Sequence, residues 1–580
     1  MAIDRTYLKQ VTPGIQTLPT TATALTTTDT YIYRLTLTNP TGGAVTVTIT
    51  DRDTPAKTLL SVSVPAGSSL VYNYASSPVL AKNGLTWQAG AAITAEIAAY
   101  RVGVRNDGGP ATWYVDSVNG NDSWPGTSPL LPLKTIGALN NKPVLSGDTI
   151  LLKRGSYWRE TLNLLGKTNV VVDAYGGENG EDKPVLDCSD VIPNASFTLT
   201  AGKTKVYEVT VPIETPATGA TWLNVWEDGV YLARAASVDA CEATPGTYYP
   251  STEASSPITL YIHPTDDQNP ITNGKTYEYS ARKHGIICGD GASIRRVHTK
   301  KNLDSYGSLC LLGANSEAIE CDMTEGGIHN GLITPPGRMI RCRFINAYAG
   351  GNALIMFVHF KATPDGSETM YYEDCWCENF TDLTLSTGFG GHRGPSGTFG
   401  LATYVRCGAK NLQNGFGPQH GDATFKECYI EPSVGFGFSM SGDQNFMLDR
   451  CYGSVIERWV TIPSGSNNTA VAVRNKITCT STGMGVAFLT LTPNNSFVVE
   501  ECSINARSAV NANQSGMVVA FQKNYVQSIS NYVMQLHASA VLDANYNQYY
   551  GFTNFVVGGA TLNKWQYVAQ TGQDTMSFFA

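Results

Sequence analysis

The chain has 580 residues, a formal net charge of −8 and 15 % charged residues, below the usual share of about 25 %. It carries no basic run and no basic-aromatic patch, which argues against nucleic acid as a partner, and no apolar stretch approaches the ~20 residues of a membrane span. The length predicts more than one domain, and 57 Gly with 29 Tyr suit an all-β chain rich in turns.

Residues 1–25 are rich in Thr and Pro without clear periodicity and read as an N-terminal arm. The opening MAIDRTYLKQVTPG lacks the apolar core of a secretory signal. The expectation is a protein that stays inside, or leaves by lysis or as part of a particle. Residues 26–101 alternate cleanly in YIYRLTLTN, AVTVTITD, LLSVSVPAG, LVYNYA and AITAEIAAYRV. Turn signals at Asn39-Pro40, Gly42-Gly43, Pro65, Pro78 and Asn83-Gly84 separate these runs. This predicts a small antiparallel β-sandwich of roughly five to seven strands. The sandwich holds no His and no Cys, so attachment suits it better than chemistry. Residues 102–112 read as a linker.

Residues 113–188 open a second body with TWYVDSVNGNDSWPGTSPLLPLKTIGAL and GDTILLKRGSYWRE. Asp116, Asn119, Asn121 and Asp122 offer oxygen ligands suited to Ca²⁺, or an Asx-rich turn that caps the body. Residues 189–283, with LNVWEDGVYLARA and ITLYIHP, form a β-rich insertion. Residues 284–580 hold the main body, a repeat that runs from near His284 to about 540, and a C-terminal closing segment. Cysteines return there at nearly even intervals in strand-like runs. The spacing is 22 residues from Cys288 to Cys310, 21 from Cys321 to Cys342 and from Cys407 to Cys428, and 23 from Cys428 to Cys451 and from Cys479 to Cys502. A fixed period of this size, with apolar alternation of two, means stacked units made of strands.

Two residues after each Cys the side chain is usually apolar (Leu312, Met323, Phe344, Cys377, Ala409, Ile430, Ile504), so the Cys column is expected inside the stack, as free thiols rather than disulfides. The preceding residues Glu320, Arg341, Asp374, Arg406, Glu427 and Arg450 alternate in sign and predict an external charge ladder. Mixed residues two before Cys point to a turn or bulge there. The intervals of 33 residues from Cys342 to Cys375 and 32 from Cys375 to Cys407 predict inserted loops on one face.

These features resemble the right-handed parallel β-helix proteins of the pectate-lyase-like superfamily. The resemblance rests on Tyr114-Val115-Asp116, Gly120-Asn121-Asp122, Pro125-Gly126-Thr127, Lys134-Thr135-Ile136 and Gly147-Asp148-Thr149-Ile150. At the far end it rests on Asp543, Asn545-Tyr546-Asn547 and Trp565-Gln566. It implies an all-β chain, a single-stranded right-handed parallel β-helix preceded by the antiparallel β-sandwich. It says little about a reaction.

Chemistry is sought beside three Gly-Phe-Gly elements, at Phe389, Phe416 and Phe436. His392-Arg393, His420-Gly421-Asp422 and Ser441-Gly442-Asp443 follow them. Asp422 and Asp443 are 21 residues apart, one coil, and would stand one above the other as the carboxylate pair of a glycoside hydrolase. His420 or His392, with Arg393 holding a uronate carboxylate, would instead serve a lyase. Phe389, Phe416 and Phe436 are either sugar platforms or core stacks. His359, Asp365 and Glu368 lie on a long loop that would wall the groove. No cofactor is expected beyond the Ca²⁺ option.

The order of parts resembles a bacteriophage tailspike. That resemblance implies a homotrimeric virion protein whose N-terminal region meets a tail or baseplate protein. It would act outside the host cell, binding and often cutting a host surface polysaccharide such as capsule or lipopolysaccharide. The alternatives are a spike that only binds carbohydrate, and a cellular polysaccharide lyase or hydrolase exported without a classical signal.

Overall fold

The computed structural model describes residues 16–17, 23–24, 30–52, 55–73, 79–81, 85–91, 94–101, 110–177, 182–214, 223–252, 255–303, 307–327, 329–348, 354–358, 369–380, 386–391, 401–418, 422–441, 444–465, 467–481, 485–528, 532–551 and 554–579. The chain divides into two units, one of Met1–Tyr114 with Gly120–Leu133 and one of Val115–Asn119 with Lys134–Ala580.

The first unit holds two antiparallel sheets. One orders Gln16–Thr17, Thr94–Arg101, Thr30–Thr38 and Ser69–Asn73, with Val79–Ala81 also against Thr30–Thr38. The other orders Thr23–Ala24, Leu85–Ala89, Val45–Asp51 and Thr58–Val64. Alternation turns Leu35, Leu37, Val47, Ile49, Val64 and Trp87 into a shared buried core. Two short strands of this sandwich come from residues 16–24, inside the stretch whose sequence reads as an arm. They are too short to show a period.

The second unit is a parallel β-solenoid of about 14 turns. One face is a parallel sheet of 13 strands from Thr149–Lys153 to Val541–Asn545. A second ladder follows it in each coil, for example Trp376–Phe380, Gly408–Lys410, Lys476–Cys479 and Ser503–Ala506. A third carries Ser386–Gly391, Asn414–Pro418, Val486–Thr490 and Ser508–Ala512. Residues 189–283 leave after Cys188 and return at Ala281 and Arg282, whose N–H groups both donate to the Cys188 carbonyl at 2.9 Å. They fold into two small sheets, one antiparallel and one mixed, in which Ala233–Arg234 runs parallel to Thr247–Pro250, around Val209, Val225, Tyr248, Leu260 and Tyr277.

The corner between the sheet and the second ladder sets the repeat. Glu320, Arg341, Asp374, Arg406, Glu427 and Arg450 all have φ between 51° and 56°, a conformation that costs an L-residue about 1–2 kcal/mol. Each of these residues donates its N–H at 2.8–3.0 Å to the strand-end carbonyl of the next coil: Ile340, Glu373, Val405, Lys426, Asp449 and Val473. The bend therefore sits one residue before Cys rather than two. Outside it the alternating charges pair as expected, Arg341 with Glu320 at 2.9 Å, Arg406 with Asp374 at 2.7 Å and Arg450 with Glu427 at 2.9 Å. Such exposed pairs fix register more than they stabilise.

All thirteen cysteines are free and buried. The corner column is Cys321, Cys342, Cys375, Cys407, Cys428 and Cys451, then Asn475, Cys502, Asn524 and Asn547, each directly after a residue of positive φ. The thiols of Cys321, Cys342, Cys375, Cys428, Cys451 and Cys502 lie 3.4–3.5 Å from carbonyls of the preceding coil. Asn475, Asn524 and Asn547 donate Nδ2–H to the equivalent carbonyls of Leu448, Val499 and Phe521. The column ends on Asp574, which accepts from Asn547 Nδ2 at 2.8 Å and from the Tyr549 and Tyr567 hydroxyls at 3.0 and 2.8 Å. Cys288 and Cys310 belong to the third ladder and Cys479 to the end of the second, so their intervals are not corner spacings. Leu312, two after Cys310, is exposed accordingly.

Two ring stacks fill the coils. Tyr372, Tyr404 and Phe425 stack inside the sheet at 4.6 and 4.9 Å. Phe389, Phe416 and Phe438 stack inside the third ladder at 4.9 and 5.0 Å. The stacks meet edge to face, as Phe416 does on Phe425 at 5.3 Å and 68°. Truncating Phe416→Ala should therefore cost about 3–5 kcal/mol. The buried Tyr404 hydroxyl has no partner among the described residues, so Tyr404→Phe should be neutral or stabilising by up to about 1 kcal/mol. Equilibrium unfolding of the two variants checks both signs.

Candidate functional site

Past each αL corner the chain takes one inward residue, the Cys, and then one outward residue that opens the second ladder. Along that outward column stand Arg343, Trp376, Gly408, Tyr429 and Tyr452, in direct parallel register. Side chains two coils apart would lie about 9.6 Å from each other. Yet the Trp376 and Tyr429 rings stack at 5.0 Å and 26°. Gly408 makes this possible, since a Cβ there would fall 2.3 Å from Trp376 Cζ3 and 2.6 Å from Tyr429 Cζ. Tyr452 continues the stack at 5.8 Å and 13°.

The strip lines an open recess of about 430 Å³ shared with Asp374, Cys375, Arg406 and Glu427. Arg406 bridges Asp374 and Glu373 on the corner side. Lys410 pairs with Glu431 at 2.9 Å on the other. The rings therefore run between the corner's row of paired charges and the Lys410–Glu431 pair. That surface offers flat apolar faces with donors and acceptors at their rims, which fits ring-shaped, hydroxylated ligands better than ions or purely apolar ones.

The residues singled out from the sequence lie elsewhere. Phe389 and Phe416 are fully buried, so they are core rings and not sugar platforms. Their Gly neighbours exist for packing: a Cβ at Gly388 would come within 2.6 Å of the Gly415 carbonyl, and one at Gly437 within 2.7 Å of the Trp459 carbonyl. Phe436 is not in the stack. It registers with Asn414 and carries Arg458 over its ring at 5.0 Å. Asp422 is exposed at the start of a sheet strand, and its carboxylate accepts from the backbone N–H and side-chain amide of Asn445 at 2.8 and 3.0 Å. Asn445 stands one coil above it, because this coil is longer than the interval to Asp443. Asp443, His420, His392, Arg393, His359, Asp365 and Glu368 lie outside the described residues. Asp116 makes an Asx turn, its Oδ1 accepting from the N–H groups of Val118 and Asn119 at 2.9 and 3.0 Å. Asn121 Oδ1 accepts from Ser123 N–H at 2.9 Å.

The repeated Gly-Phe-Gly motif does not mark this strip. Its signal is the residue after each corner Cys, in Cys375-Trp376, Cys428-Tyr429 and Cys451-Tyr452, interrupted by Cys407-Gly408.

In earlier coils of the same ladder lies a charge cluster under the insertion. Arg159 and Lys301 both hold Glu278 of the insertion, and Lys301 lies 4.7 Å over the Trp226 ring. Lys300 stands 3.4 Å from Asp187 and 4.0 Å from Glu325. Burial works against the charge of Asp187, but Lys300, the Tyr157 hydroxyl and Lys301 hold its carboxyl below the ordinary range. Burial pushes the Glu325 carboxyl up, against Lys301 and Lys300. With three cations against three carboxylates in ion pairs, the cluster seats the insertion on the coils.

No family model matches the chain, and no curated protein matches it. Among solved structures, the catalytic unit of a GH87 alpha-1,3-glucanase from Streptomyces thermodiastaticus aligns over 98 % of this chain and 88 % of its own, at 10 % identity and TM-score 0.38. A GH136 lacto-N-biosidase from Eubacterium ramulus aligns over 77 % and 67 %, at 10 % identity and TM-score 0.34. An exopolygalacturonase from Thermotoga maritima aligns over 72 % and 85 %, at 9 % identity and TM-score 0.20. These values are too low for any residue's role to pass to this chain.

Two outcomes follow. Gly408→Ala should leave the fold standing, because the half-exposed rings swing outward, but break the stack; loss of near-ultraviolet circular dichroism measures it. His298 donates or accepts at Thr324 Oγ1, 2.8 Å away. Burial, with Lys300 and Lys183 nearby and Asp322 and Asp187 opposing, pushes its pKa from 6.5 down to about 4. Between those values the unfolded chain binds a proton that the folded chain refuses, so stability falls as pH drops through that window, by up to about 3 kcal/mol. Urea titrations at pH 7 and pH 4 should show His298→Gln flattening this loss.

Proposed function

We propose that this protein is a polysaccharide-binding β-helix of the spike type. The observation that carries the reading is the Trp376–Tyr429–Tyr452 strip, held flat by a rigid ladder and rimmed by paired charges. Pyranose rings present C–H groups on their faces and hydroxyls on their edges. Stacked aromatics take the faces, and the Arg406, Asp374 and Glu427 side chains take the edges. Ladder strands hold such rings with little conformational freedom to lose on binding.

In this reading the N-terminal sandwich is the attachment part, joined to a phage tail or baseplate protein, and the solenoid meets a host capsule or lipopolysaccharide. Homotrimeric assembly, with three solenoids side by side in cyclic symmetry, suits a long rod with flat lateral faces. Cleavage is a separate step. It rests on Asp422 acting with His420, His392 or Asp443, and the binding reading stands without it.

Purified protein screened against bacterial capsule and lipopolysaccharide preparations tests the reading. At least one should be retained by the intact protein and lost with Trp376→Ala, by roughly tenfold or more in affinity. Binding that ignores both Trp376→Ala and Tyr429→Ala would refute it. New reducing ends in the bound preparation, abolished by Asp422→Asn, would add hydrolysis; unsaturated products absorbing in the ultraviolet would add a lyase.

A further inference from the structure

The outward column does not stop at Tyr452. In parallel register it continues through Lys476, Ser503, Tyr525, Gln548 and Phe578. Tyr525 and Phe578 are 42 % and 54 % exposed, as Tyr452 is 48 % exposed. Tyr550, in the neighbouring outward column, brings its ring to 4.9 Å from Tyr525 and 5.8 Å from Phe578. The interior at this end of the solenoid is filled by other rings, the buried Tyr549, Phe555 and Tyr567 with Phe579 beside them, in stacked and edge-to-face contacts.

Three coil steps separate Tyr452 from Tyr525, about 14 Å along the axis. The intervening Lys476 and Ser503 are exposed and polar. One outer lane therefore carries an aromatic patch, a polar span and a second aromatic patch, all fixed by the same ladder.

We propose that Tyr525, Tyr550 and Phe578 form a second sugar-stacking site, and that one polysaccharide chain lies along the coil axis from the Trp376–Tyr452 strip to this patch. The proposal rests on the polysaccharide-binding reading above and adds to it a direction and a minimum length. Sugar rings stack at both patches, and the middle of the chain crosses Lys476 and Ser503 through its hydroxyls. Occupying the second patch is then an intramolecular event whose effective concentration is set by the chain itself, so affinity must depend on chain length.

The test uses the full-length protein and an array of bacterial capsule and lipopolysaccharide O-chain fragments, each printed as pieces of about three and about ten sugars, since only the longer piece spans both patches. Tyr525→Ala/Tyr550→Ala should weaken the long fragment by about tenfold and leave the short one unchanged. Trp376→Ala should weaken both. Long-fragment binding unchanged in the double variant, while Trp376→Ala loses it, overturns the axial site and leaves the binding reading intact. No dependence on Trp376 in either fragment overturns both. An unchanged melting midpoint shows that the double variant is folded, and the single Phe578→Ala variant, with the same predicted length dependence, repeats the test should it not be.

Discussion

Every coil depends on one costly bend. At the corner between the sheet and the second ladder a long side chain, charged at every corner from Glu320 to Lys523 and a tyrosine at Tyr546, is held at positive φ, where such residues are rarely found. What holds it there is the next coil. Its N–H reaches up to a strand-end carbonyl, and the small polar side chain that follows reaches down to another. The strain is therefore met between coils, not within one, and no single coil could keep the bend alone.

The same corner separates inside from outside with a one-residue switch. The bend residue points out and pairs in the charge ladder. The next residue points in and is small, from Cys321 to Asn547 a Cys or Asn whose side-chain hydrogen-bonding atoms reach a neighbouring coil, while the earlier corner after Arg296 holds the buried Val297. The one after points out again, and there the rings of Trp376, Tyr429 and Tyr452 stand. Their position is thus inherited from the backbone register, and their neighbours Asp374, Arg406 and Glu427 are the bend residues themselves. A surface built this way is stiff because the fold is stiff.

Much of this was legible in the residues. The cysteine period announced stacked strands, and the alternating signs of Glu320, Arg341, Asp374 and Arg406 announced the outer ladder. Asn475, Asn524 and Asn547 were not recognised as members of the same column, since an Asn in isolation reads as a turn residue. Cys288, Cys310 and Cys479 keep nearly the right interval yet sit in other ladders. Coil length also varies. A constant step puts Asp443 over Asp422, whereas the register puts Asn445 there. The Gly-Phe-Gly elements read as either sugar platforms or core stacks, and Phe389 and Phe416 are core: their glycines repeat where neighbouring coils leave no room for a Cβ. The aromatic strip escaped notice because Gly408 interrupts it, and that interruption is what lets the rings meet.

The corner is tested most directly by changing its side chain to its structural equivalent. Cys502 lies between Asn475 and Asn524, with its sulfur 3.4 Å from the Asn475 N–H and 3.4 Å from the Ala472 carbonyl. In Cys502→Asn the amide oxygen would accept the first and the amide N–H would donate to the second. Calorimetry should find the melting midpoint within about 2 °C of the natural protein, since both groups are satisfied. An amide buried without partners at that position would lower it by more than about 5 °C, and a fall of that size would contradict the corner as the element on which the coils, and the surface they carry, depend.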